Sequence, residues 1–235
     1  MIFRQLFERE SYTYTYLLGD EQTREAMLID PVDTELDLYL RLLQELDLKL
    51  VYALDTHVHA DHVTALGLLR EKTGCATMVG FEGEVDCASE GLEDGKLIQI
   101  GDIDLNVIFT PGHTNDSFSF VVRDAAKTYL FSGDTLFIRG TGRTDFQNGD
   151  PAMLYDSLHE KLLTLPDDTL VYPGHDYKGW TVSTIGEEKR TNPRLEPPTK
   201  EAFIELMNNL DLPDPKMMDV AVPANRACGV KAGAA

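Results

Sequence analysis

The chain has 235 residues, a length that suits one large domain or two small ones. Hydrophobic residues make up 43% of it and charged residues 26%, values that exclude a mostly disordered chain. Its 40 Asp and Glu against 21 Lys and Arg give a formal net charge of −19, which argues against a nucleic-acid backbone or an anionic membrane as partner.

In chain order, Tyr12 to Leu18 alternates Tyr, Thr and Leu and predicts a strand. Ala26 to Ile29 is a second, ended by Asp30-Pro31. Leu36, Tyr39, Leu40, Leu43 and Leu46 then fall at helical spacing, with Asp33 or Thr34 as cap. Leu50 to Leu54 is a strand, Val63 to Lys72 a helix stopped by Gly74, and Ala76 to Val79 another strand. Leu97 to Ile100 and Ile103 to Phe109 read as a hairpin turned at Gly101-Asp102, and Phe118 to Val122 pairs with Thr128 to Phe131. Asp150-Pro151 opens a helix whose buried stripe is Leu154, Leu158 and Leu162. Thr169 to Tyr172 is a last strand and Lys200 to Leu210 a late helix.

This order predicts an α/β fold of two sheets sandwiched by helices, not a doubly wound sheet. No linker rich in Gly, Ser or Pro divides the first 190 residues, so the expected domain is 1–190. Residues 191–235 are expected as a C-terminal helix and tail packed on that domain. Cys75, Cys87 and Cys228 are too few and scattered for a disulfide framework and are expected as free thiols in a reducing compartment. Charged residues interrupt Met1 to Ser11, no signal peptide is visible, and no apolar window reaches about 18 residues. The expected location is the cytoplasm.

All histidines but His159 fall just after predicted strands, next to Asp, Gly or Pro. Thr56-His57-Val58-His59-Ala60-Asp61-His62 follows the strand ending at Leu54. In an extended loop His57 and His59 point the same way, and Asp61 and His62 start the next helix. Pro111-Gly112-His113-Thr114, Ser132-Gly133-Asp134-Thr135 and Pro173-Gly174-His175-Asp176 follow three other strands. A lone Pro-Gly-His is an ordinary turn. Four strand ends each presenting a metal-capable side chain predict a metal site on loops held by a sheet.

Together these motifs resemble the metallo-β-lactamase superfamily over residues 1 to about 190. The resemblance implies a four-layer αββα sandwich with metal at one edge of its two sheets. The ligand inventory alone favours two zinc ions, with His57, His59 and His113 in one site, Asp61, His62 and His175 in the other, and Asp134 bridging. That is the layout of glyoxalase II, a dimetal hydrolase of glutathione thioesters.

Other segments are similar, nearly end to end, to the persulfide dioxygenase (sulfur dioxygenase) family. They are Arg139 to Gln147, Tyr172 to Thr184, Glu187 to Pro193 and Ala221 to Gly229; Val63-Thr64 also stands where glyoxalase II has a glycine pair. This resemblance implies one Fe(II) per chain, held by His57, His113 and Asp134. His59, Asp61, His62 and His175 then surround the ligands or form a vacant second metal site. Two histidines and one carboxylate leave iron positions open for a persulfide sulfur and for O2. The implied reaction is glutathione persulfide with O2 and water giving glutathione and sulfite.

For the tripeptide's carboxylates and amides the candidates are Arg143, Tyr177, Asn225 and Arg226, with Asp145 as an alternative partner that would keep Arg143 on its own loop. The family includes homodimers, and any sulfurtransferase partner is expected as a separate chain. A third reading is a non-catalytic, metal-dependent sulfur-binding protein. His159 and Trp180 are expected to be structural, as is Cys228.

Overall fold

Aromatic and β-branched alternation at the N-terminus builds an antiparallel pair. In a computed structural model that describes residues 1–85, 87–124, 126–213 and 217–229, β1 (Ile2–Phe7) lies against β2 (Tyr14–Gly19) with Ile2 opposite Gly19. β3 (Glu25–Ile29) adds antiparallel to β2. α1 (Leu36–Glu45) then leads to β4 (Lys49–Leu54), and α2 (Leu66–Thr73) to β5 (Ala76–Gly80) and β6 (Glu90–Leu92). Strands β3 to β6 pair in parallel, so the first sheet is mixed, in the order β1-β2-β3-β4-β5-β6.

The remaining strands are β7 (Leu97–Ile100), β8 (Ile103–Phe109), β9 (Phe118–Arg123), β10 (Thr128–Gly133), β11 (Leu170–Pro173) and β12 (Ser183–Thr184). Their sheet has the order β12-β11-β10-β9-β8-β7, with β10 and β11 parallel. The later helices are α3 (Pro151–Asp156), α4 (Ile185–Thr191), α5 (Lys200–Asn208) and α6 (Met218–Arg226).

The chain divides into two compact units. The first takes residues 1–92 and 98–104 and returns with 217–229; the second takes 93–97 and 105–213. In the first, Leu28, Leu50 and Ala53 of the strands pack with Tyr39 and Leu43 of α1 and Leu66 and Leu69 of α2. In the second, Val121, Leu130 and Val171 pack with Leu154, Leu158 and Leu162 and with Phe203 and Met207 of α5. Each fully buried aliphatic side chain of this kind contributes about 1.5–3 kcal/mol. The start of α3 follows the predicted chemistry, Asp150 accepting from the Ala152 and Met153 amides with Pro151 in the first turn, whereas α1 lacks the expected Asp33 or Thr34 cap: both residues lie in a 3-10 turn that precedes it, and no side chain caps the helix. No helix among the described residues is long and apolar enough to cross a membrane.

Three expectations change. The helix expected from Val63 begins at Leu66, because Thr64 bridges to Val32 while its hydroxyl bonds Asp55 and the Leu66 amide. Asp61 and His62 therefore lie in bends before α2 and not at its start. The expected tail is not one appendage: α5 belongs to the second unit and α6 to the first, while 214–216 and 230–235 lie outside the described residues. Finally, the cysteines are not all free. Cys87 and Cys228 form a disulfide across 141 residues with Cα atoms 6.0 Å apart, a pairing that sequence spacing cannot reveal, and Cys75 alone is a free, buried thiol.

Candidate metal centre

The histidine loop hangs between β4 and α2 in the first unit, fixed mainly by buried side chains. Asp30, 1% exposed, accepts from the Thr56 amide (2.7 Å) and the Thr56 hydroxyl (3.0 Å), pinning the start of the loop to the end of β3. The rings of His57 and His59 stand 4.2 Å apart and those of His59 and His62 4.3 Å, so the loop brings its three histidines together. His59 Nε2 lies 3.2 Å from Asp30 Oδ1. A carboxylate only accepts, so Nε2 carries the proton and Nδ1 keeps a lone pair for a cation. By the same argument Asp61, 2.8 Å from His62 Nδ1, directs the lone pair of His62 to Nε2. Asp30, Asp55 and His59 also form a close group of metal-capable atoms within 4.8 Å of one another.

In the second unit the candidate ligands sit one to four residues past strand ends and are fixed by backbone. β8 ends at Phe109 and the turn that follows carries His113, whose Nδ1 lies 2.7 Å from the Arg143 carbonyl oxygen. That oxygen can only accept, so Nδ1 donates and the lone pair is on Nε2. Nε2 lies 3.5 Å from Asp134 Oδ2, and His175 Nε2 lies 3.6 Å from Asp134 Oδ1. A direct charge-assisted hydrogen bond would close to about 2.8 Å. Ligand atoms at about 2.0–2.2 Å from a shared cation stand roughly 3–3.5 Å apart. A lone pair facing a carboxylate at that spacing is an arrangement a cation stabilises. The donor set therefore fits a metal.

Glycines permit this close approach. A Cβ on Gly142 would come 2.3 Å from the Asp134 carbonyl oxygen and 2.8 Å from His113 Nδ1, and one on Gly174 2.5 Å from Asp134 Oδ1. The Gly142 amide donates to the Asp134 carbonyl (2.8 Å), which ties the Arg139-to-Arg143 loop to the end of β10. Gly142 was not singled out from the sequence, where it looks like one more loop glycine; only the spacing to Asp134 shows its task.

The proposed substrate contacts fare differently. Arg143 is held on its own loop: Nε and Nη2 bond both oxygens of Asp145 (2.6 and 2.7 Å), and Nη1 donates to the Pro213 carbonyl (2.7 Å). That hydrogen bond, then the nearby positive charge, holds the Asp145 carboxyl below its usual range despite partial burial. Arg139 is likewise paired with Glu187 and Glu188. Asn225 is corrected most clearly. It is 3% exposed and spends its side chain on the histidine loop, donating to the His59 and His62 carbonyls (2.9 and 2.8 Å) and accepting from the Thr64 amide (2.8 Å). Arg226 is exposed and lies 3.9 Å from Glu84. Tyr177 is 64% exposed with its ring stacked beside His175, 6.1 Å between centroids. His159 stacks on Tyr155, and burial lowers its pKa.

A model of the metallo-β-lactamase superfamily matches residues 9–175, which carry every candidate metal ligand described above. The chain belongs to that superfamily and has its fold, with two mixed sheets and flanking helices. The human mitochondrial persulfide dioxygenase ETHE1 is 48% identical over 232 residues, covering 98% of this chain and 90% of that protein. The crystal structure of ETHE1 from Myxococcus xanthus is 55% identical, with a TM-score of 0.94 over 98% of this chain and 100% of that one. TTHA1623, solved in a di-iron-bound form, is 31% identical with a TM-score of 0.66 over 81% of this chain and 98% of that one. Within the superfamily, the chain is an enzyme of the persulfide dioxygenase family.

Proposed function

We propose that the enzyme oxidises glutathione persulfide with O2 and water to glutathione and sulfite, using one Fe(II) held by His57, His113 and Asp134. The observation that supports a cation most directly is the Asp134 carboxylate facing the lone-pair nitrogen of His113 at 3.5 Å. Imidazole and carboxylate donors without thiolate suit Fe(II), and the near end-to-end likeness to persulfide dioxygenases supports the reaction. When bound, the iron supplies the redox chemistry and the open positions that a persulfide sulfur and O2 require.

The chain's own residues do the positioning. The Arg143 carbonyl fixes the His113 ring, and the Gly142 amide fixes the backbone of Asp134. Asp30 orients His59, and Asp61 orients His62. Tyr177, exposed beside His175, offers a hydroxyl to the substrate. Atoms balance as one persulfide, one O2 and one water giving one thiol, one sulfite dianion and two protons.

A dimetal hydrolase of glutathione thioesters is the competing reading, supported by the three histidines, His57, His59 and His62, that the loop of the first unit brings together. Metal analysis of anaerobically purified protein, with O2 uptake on adding glutathione persulfide, separates the two. About one iron per chain and O2 consumption are expected. Two zinc ions per chain, no O2 uptake and cleavage of S-lactoylglutathione would sink the dioxygenase reading.

A further inference from the structure

The end of the described chain is clamped onto the histidine loop. Besides the three Asn225 bonds to residues 59, 62 and 64, the Cys228 carbonyl accepts from the Gly67 amide (2.9 Å) at the start of α2. Gly229 lies so close to Thr64 that a Cβ would come 1.9 Å from the Thr64 carbonyl oxygen. Cys228 itself sits at φ 54, a left-handed conformation that a residue with a side chain seldom takes unless its surroundings impose it. The Cys87–Cys228 disulfide is one such constraint. It joins the clamp to the segment between β5 and β6, where the Arg70 guanidinium holds the Cys87 carbonyl.

We propose that this disulfide is a redox latch on the histidine loop, with Asn225 as the positioning residue that transmits its state. In the oxidised form the crosslink holds Cys228 in its left-handed turn and keeps Asn225, three residues earlier, on the His59 and His62 carbonyls. Cutting it lets the turn relax, loosens those bonds and weakens the loop's hold on a metal. The effect on metal rests on the iron reading above; the latch itself rests only on bonds within the first unit.

The reductant is a low-molecular-weight thiol. Its thiolate attacks Cys87 Sγ, since Cys87 is half-buried and Cys228 is 0% exposed. The Sγ–Sγ bond breaks and Cys228 leaves as a thiolate, which takes up a proton. A second thiol then displaces Cys87 from the mixed disulfide. Two electrons pass to the protein, leaving two cysteine thiols and one small-molecule disulfide.

Hydrogen exchange read by mass spectrometry on the protein as purified tests this. Three samples are compared: the oxidised protein, the same protein reduced with dithiothreitol, and Cys87→Ser. Amides of residues 64–67 are expected to exchange about tenfold faster in the last two, with Pro151–Asp156 of α3 unchanged. Asn225→Ala is expected to give the fast exchange without any reductant. Iron loss to a chelator is expected to accelerate in parallel. Equal exchange in all samples would overturn the latch, as would three reactive thiols in protein unfolded without reductant. Faster exchange with unchanged iron retention would overturn its coupling to the metal. Absence of bound iron in every redox state would count against the iron reading instead, while the exchange comparison still decides the latch.

Discussion

The two sets of candidate ligands are held by different means. His113, Asp134 and His175 follow the ends of β8, β10 and β11 and are fixed by main-chain contacts, among them Gly142 to Asp134 and His113 to the Arg143 carbonyl. His57, His59 and His62 ride on a loop whose shape depends on side chains drawn from distant parts of the first unit: Thr13, Asp30 and Asn225. The second-unit set is a product of sheet geometry. The first-unit set is an assembly, and a single side-chain change can loosen it while the sheet stays intact.

Substitutions can break that contrast in graded steps. The largest effect is expected at Asp134→Ala, which on the one-iron proposal removes a ligand without touching the sheet: bound iron should fall to roughly a tenth of wild type or less by elemental analysis. His62→Ala should retain iron, and equal loss in both would overturn the one-metal assignment. Next is Asp30→Asn, which disturbs the Thr56 hydroxyl that lies 3.0 Å from Nδ1 of the proposed ligand His57; metal affinity should drop about 10–100-fold in a chelator competition, the usual cost of altering a group behind a ligand.

Gly142→Ala attacks the second-unit side. Its methyl would press on the Asp134 carbonyl oxygen at 2.3 Å, and overpacking of this kind costs about 1–3 kcal/mol, readable as a lowered denaturation midpoint. The smallest effect is expected at the Arg143–Asp145 pair. The folded protein lowers the Asp145 pKa, so its contribution is complete above the unfolded value near pH 4 and is lost as pH falls through the folded one. Asp145 is 53% exposed at its side chain, so Asp145→Asn should cost only about 0–1 kcal/mol at neutral pH, with the difference from wild type vanishing in strong acid. A cost persisting unchanged at low pH would show that the pair is not the source.

Legibility in the sequence follows the same division. The strand-end motifs were readable because a strand stop, a glycine and a ligand are adjacent in the chain: Gly112-His113, Gly133-Asp134 and Gly174-His175 all lie where their spacing placed them. β1, β6, β12, α4 and α6 escaped, since β1 is a half-exposed edge strand, β6 and β12 have three and two residues, and α6 carries an internal Pro223. The task of Asn225 and the partner of Cys228 were hidden for another reason. Each depends on a contact more than 140 residues away, and no local pattern records it. The charge question sharpens as well. Arg139, Arg143 and Arg226, the cations the sequence suggests for a small anion, each face an acid of this chain.

The Asn225 clamp also sets an order of events at the ribosome. Asn225 lies 163 residues beyond His62 in the chain, so at about 5–20 residues per second the loop waits roughly 10–30 s after His62 is made before its last bonds can form. Until then the three loop histidines exist without their final brace. The nascent protein thus completes its histidine loop only after the entire second unit has been made.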